Sequence, residues 1–120
     1  MPYNIEKFAS SFVRNRWRSR FMHEFLKKPH DLMQRCIGNW QQIFFKEALH
    51  QTRPLGFDEE IVRVIDWGDV LEEMNWADFL RDYPKDHAGF IAVGRSGNLG
   101  FLETHEDHPK LSKHYYIYSI

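Results

Sequence analysis

Three histidines near the C-terminus, His105, His108 and His114, with Glu106 and Asp107 between them, have the composition of a metal site. Imidazole and carboxylate together suit zinc or another divalent ion. Such a site needs at least three ligands that converge, and here they fall in a polar connection with no cysteine beside it. The pattern favours a solvated loop. A metal-dependent enzyme at His105, His108 and His114 is the third reading of the chain, and no cofactor is expected.

The remaining reactive side chains point away from catalysis. Cys36 is the single cysteine, and it falls on the apolar stripe of a helix. Reactive thiols need an electropositive, accessible setting, so Cys36 is expected to be buried and inert. No serine lies in a G-x-S-x-G elbow. Gly94-Arg95-Ser96-Gly97 sits between two strands, whereas a phosphate loop opens a helix. Glu72-Glu73 and Asp58-Glu59-Glu60 are adjacent carboxylates, and neighbours on a helix or strand point apart rather than form an acid–base pair. The expectation is a protein that binds and does not catalyse.

Two charged stretches carry aromatic residues. The first is Asp66, Trp67, Asp69, Glu72, Glu73, Trp76, Asp78 and Asp82. Indole rings anchor a partner and carboxylates steer it, so this stretch is expected to bind a protein with a basic surface, provided the indoles are exposed. The second is Arg14, Arg16, Arg18 and Arg20, interleaved with Trp17 and Phe21. Phosphate charge and ring stacking would make it a nucleic-acid module. It ranks second because the net charge is −1, whereas nucleic-acid domains usually carry a clear basic excess.

That near-zero balance conceals an asymmetry. Residues 1–53 hold ten Lys and Arg against four Asp and Glu, and residues 54–120 hold six against thirteen. The two halves can attract each other within the fold or serve separate partners.

The elements that position these residues follow from periodicity. Asn4 caps a first helix, along which Ile5, Phe8, Phe12, Val13, Trp17, Phe21 and Phe25 recur at mostly helical spacing. The step of five from Phe12 to Trp17 predicts a bend near Ser10-Ser11 or a helix that wraps around what it packs on. Pro29 starts a second helix with Met33, Ile37, Trp40, Phe44 and Ala48 on its apolar face. Gly38 within it suggests close approach of the first helix. Ile61–Ile65 is β-branched and short, hence a strand. Val70, Leu71 and Met74 suggest a turn or two of helix. Asn75 caps a short helix, with Trp76, Phe79 and Leu80 on its buried side and Pro84 at its end. Phe90–Val93 and Leu99–Leu102 make a hairpin around Arg95-Ser96-Gly97-Asn98, where Gly97 supplies a positive φ. His114–Ile120 is the last strand.

These elements predict one α+β domain over residues 1–120. A helical hairpin at 4–52 would pack on one face of a mostly antiparallel sheet of about four strands at 60–120, with one short helix. A run of 18 apolar residues is missing, so no membrane span is expected, and one thiol fits a cytoplasmic location. The leading expectation is a small non-catalytic interaction protein. A toxin-neutralising immunity protein that covers a nuclease's cationic site fits the size and charge layout. The aromatic content also suits a homodimer interface.

Overall fold

The computed structural model describes residues 2–68, 71–86, 89–104 and 113–119. Asn4 opens the first helix as its position predicts: its side-chain oxygen accepts the Lys7 backbone N–H at 3.2 Å, and α1 spans Ile5–Phe12. The apolar stripe then stops being helical. The break falls at Val13, later than Ser10-Ser11, and Val13 forms an antiparallel bridge with Phe44. The Arg14 N–H donates to the Ile43 carbonyl at 2.7 Å, and the Phe45 N–H donates to the Phe12 carbonyl at 2.9 Å. A 3₁₀ turn follows each arm of this bridge, Asn15–Trp17 and Lys46–Ala48. The Arg18 guanidinium donates to the carbonyls of Val13 (2.9 Å) and Ser10 (3.1 Å), which satisfies helix-end acceptors of α1.

The expected two-helix hairpin over 4–52 is therefore three helices. After α1 come α2, Arg18–Lys27, and α3, Pro29–Ile43. α3 is kinked at Asn39, where φ is −125° and ψ is 29°. A Cβ placed on Gly38 would meet nothing within 4 Å. Gly38 thus admits no close neighbour, contrary to the expectation from its place in the stripe.

The sheet has six strands rather than about four: β1 Leu49–His50, β2 Ile61–Ile65, β3 Glu72–Asn75, β4 Phe90–Gly94, β5 Gly100–Glu103 and β6 His114–Ile117. Their order is β1-β6-β5-β4-β2-β3, with every neighbouring pair antiparallel. The class is α+β, as predicted. The two additional strands are the sheet edges. β3 replaces the expected turn of helix because Met74 lies opposite Val62 and Glu73 opposite Arg63, pairings that no local window reveals.

Helices cover both faces of the sheet rather than one. Ile65, Ile91, Val93, Leu102 and Ile117 pack under α1–α3 together with Phe8, Phe12, Phe21, Phe25 and Met33. The alternate residues Val62, Val64, Phe90, Ala92 and Phe101 pack against the fourth helix, α4, Trp76–Asp86. All five residues of β4 are buried, which explains why its apolar run is unbroken. α4 continues two residues past Pro84, where the sequence places its end. No helix among the described residues is long and apolar enough to cross a membrane.

Candidate functional site

β2 ends at Ile65, and the chain turns through Asp66, Trp67 and Gly68. One oxygen of the Asp66 carboxylate accepts the Gly68 backbone N–H at 2.7 Å, which shapes the turn locally. The other oxygen accepts the Tyr83 hydroxyl from α4. His30, at the start of α3, meets the Gly68 carbonyl through its ring nitrogen. The turn is thereby tied to the helices on both faces of the sheet. At its apex Trp67 is 54% exposed.

Carboxylates gather on the α4 side of this turn. Glu72 stands opposite Val64, whose side chain belongs to the α4 layer, so Glu72 faces that layer too. Asp66 and Glu72 both raise the pKa of Tyr83, after burial, which does so most. On α4, Asn75 caps the helix by accepting the Asp78 N–H at 2.9 Å. Arg81 bridges Asp78 (3.1 Å) and Asp82 (2.9 Å) on the exposed side. Asp66, Glu72, Asp78 and Asp82 thus belong to the turn, β3 and α4, and Arg81 bridges two of them.

Two predicted members are elsewhere, and one lies outside the described residues. Trp76 is fully buried, stacked on Phe79 with centroids 5.4 Å apart, so its role is in the core and not at a docking surface. The sequence places it one helical turn from Phe79 and Leu80, and that stripe is what sinks it. Glu73 points to the opposite face. Its two oxygens accept from Arg63 and Arg95, each at 3.1 Å. The Arg63 hydrogen bond holds the Glu73 carboxyl below its ordinary range. Arg63 in turn lies 4.4 Å from the centre of the Tyr3 ring. Asp69 lies outside the described residues. Sequence reasoning missed Tyr83 and His30, which hold the turn, and Arg63. The signal for Arg63 was present: one charge inside an otherwise apolar strand must find a partner.

The arginines of the N-terminal segment do not form one stripe. Arg14 and Arg18 each lie 5.7 Å from the Phe45 ring centre, while Arg16 and Arg20 lie 5.7 and 5.9 Å from that of Trp17. Arg18 is committed to the end of α1, Arg20 sits 3.8 Å from Glu24, and Phe21 is in the core. Of the histidine cluster, His105 and His108 lie outside the described residues, as do Glu106 and Asp107. His114 opens β6 with its ring nitrogen 3.8 Å from Glu103. Among the described residues no three histidines, cysteines or acids are placed to hold a metal ion. Comparison of the chain with protein-family models, with curated proteins and with solved structures finds no match.

Proposed function

We propose that this chain is a small non-catalytic binding protein that docks onto a cationic protein surface through Trp67 and the carboxylates of the α4 layer, Asp66, Glu72, Asp78 and Asp82. The observation that carries the reading is Trp67 itself. A large indole stands more than half exposed on a turn braced from both faces of the sheet, next to Asp66. A braced aromatic loses little freedom on binding, and water-exposed carboxylates steer a basic partner without needing to be desolvated first. Within this class, an immunity protein that covers the cationic site of a nuclease toxin fits the charge pattern. The proposed location is the cytoplasm, where a buried, reduced Cys36 is expected.

The test is affinity capture with wild type and variants in parallel, followed by measured affinity for the protein captured. Trp67→Ala is expected to weaken binding by about 2 kcal/mol, roughly 30-fold. Glu72→Lys or Asp82→Lys is expected to slow association, and added salt to do the same to wild type. Binding that survives Trp67→Ala and these reversals unchanged would remove the proposal.

A further inference from the structure

The far edge of the sheet holds a second, unrelated feature. A cavity of about 470 Å³ opens where the end of α3, the extended segment after α1 and the β1 edge meet. Its lining includes two cations, Arg14 and Lys46, and the rings of Trp40 and Tyr115 beside Phe44, with no carboxylate among the described residues. The rings lie against each other with centroids 4.8 Å apart and planes inclined at 37°. Trp40 follows directly on the kink at Asn39. Arg14 is positioned by its backbone bond to Ile43, and its guanidinium carbon lies 5.7 Å from the Phe45 ring centre. Its Nε is buried and has no hydrogen-bond partner among the described residues.

Each feature asks for a definite chemistry. A guanidinium that lines a cavity pairs with an anionic oxygen, and arginine matches phosphate geometry well. A lysine across the same cavity adds a second point charge. Paired aromatic rings present a surface on which a planar heterocycle stacks. The volume lies within the range of small-ligand sites, about 300–1,000 Å³. We propose that this cavity binds a nucleoside phosphate, with its ring against Trp40 and Tyr115 and its phosphate held by Arg14 and Lys46. The ligand can be a free nucleotide or the phosphorylated end of a single strand, which offer the same groups. The site is independent of Trp67, which belongs to the opposite edge of the sheet.

Calorimetric titration with AMP tests the assignment, with adenosine, inorganic phosphate and a short 5′-phosphorylated oligonucleotide as further arms. AMP is expected to bind saturably, and more tightly than adenosine or phosphate alone. Lys46→Gln, an exposed change that leaves the fold intact, and Arg14→Gln are each expected to weaken it about tenfold. Arg81→Gln on the other face is expected to leave it unchanged. A tighter oligonucleotide than AMP assigns the strand end as the source, and the reverse assigns the free nucleotide. Absence of saturable AMP binding would overturn the proposal. So would equal affinity for inorganic phosphate and AMP, or an equal loss in Arg81→Gln.

Discussion

Arg35 on α3 grips Glu24 on α2 with two parallel hydrogen bonds, Nε to Oε1 at 3.0 Å and Nη2 to Oε2 at 2.9 Å. Only 5% of the Glu24 side chain is exposed. This bidentate pair joins α2 to α3. Arg20, 3.8 Å away and half exposed, is a weaker second partner. Removing Arg35 strands a carboxylate in the interior, so Arg35→Leu is expected to cost about 3 kcal/mol in urea denaturation. The double change Arg35→Leu with Glu24→Leu is expected to recover most of that loss, because no unpaired charge remains. A double variant as unstable as the single one would show that the pair's role is more than mutual neutralisation.

Gly97 joins the β4–β5 hairpin to α1. Its φ is +83°, and a Cβ there would stand 2.6 Å from the Asn4 carbonyl oxygen, a backbone atom that cannot step aside. The neighbouring Asn4 N–H donates to the Arg95 carbonyl at 3.0 Å, so turn and helix start are bound together. Gly97→Ala is therefore expected to destabilise by about 2–4 kcal/mol, combining an unfavourable left-handed backbone with a clash. Gly38→Ala is the contrasting change. Nothing lies near its Cβ position and its φ is not in the left-handed region, so it is expected to stabilise by about 0.5–1 kcal/mol. Urea midpoints for the two variants check both signs.

The residues that were legible in the sequence are those whose partners are close along the chain. Asn4 and Asn75 cap the helices they precede, and Phe90–Val93 reads as a doubly covered strand because four consecutive apolar residues have no other use. That Tyr115 and Ile117 share one face, with Tyr116 on the other, follows from strand alternation alone. What was not legible depends on distant pairings. Val13 leaves its helix to meet Phe44, thirty-one residues on. Glu72–Asn75 contains no β-branched residue and becomes a strand because β2 supplies its partners and Arg63 its counter-charge. The docking face was half legible for the same reason. Composition shows acids beside indoles, but only packing decides that Trp76 enters the core and Trp67 does not.

Tyr3 gives the fold a pH limit. Burial, followed by the nearby Glu73 carboxylate, pushes its pKa up to about 12. The unfolded chain releases that proton near pH 10. Between these values the folded state holds more protons than the unfolded one, so stability falls as pH rises. The contribution is fully present below about pH 10 and lost by about pH 12. Tyr3→Phe is expected to make the alkaline fall in urea midpoint shallower. In wild type, absorbance at the tyrosinate band is expected to show Tyr3 titrating late, with Tyr83 also raised. The acidic limb has the opposite sign. Glu73, held low by Arg63, stabilises above its unfolded pKa, and that effect disappears as pH falls through the lowered folded value. Glu73 is 40% exposed, so solvent limits the effect to less than about 1 kcal/mol.

Trp67 and Trp76 are nine residues apart and are expected to answer the same substitution oppositely. Trp76 is fully enclosed by Phe79, Phe101 and Tyr116. Trp76→Ala empties that space and is expected to cost about 3–5 kcal/mol of stability. Trp67→Ala removes a ring that is already more than half in water, and is expected to cost less than about 1 kcal/mol. Fluorescence separates them without unfolding the protein. A soluble quencher such as acrylamide is expected to reach Trp67 first, so Trp67→Phe removes the most quenchable part of the emission and leaves the Trp76 part shielded. If Trp67→Ala instead destabilises as much as Trp76→Ala, the turn is a structural brace. The exposed indole would then have no separate claim to a partner.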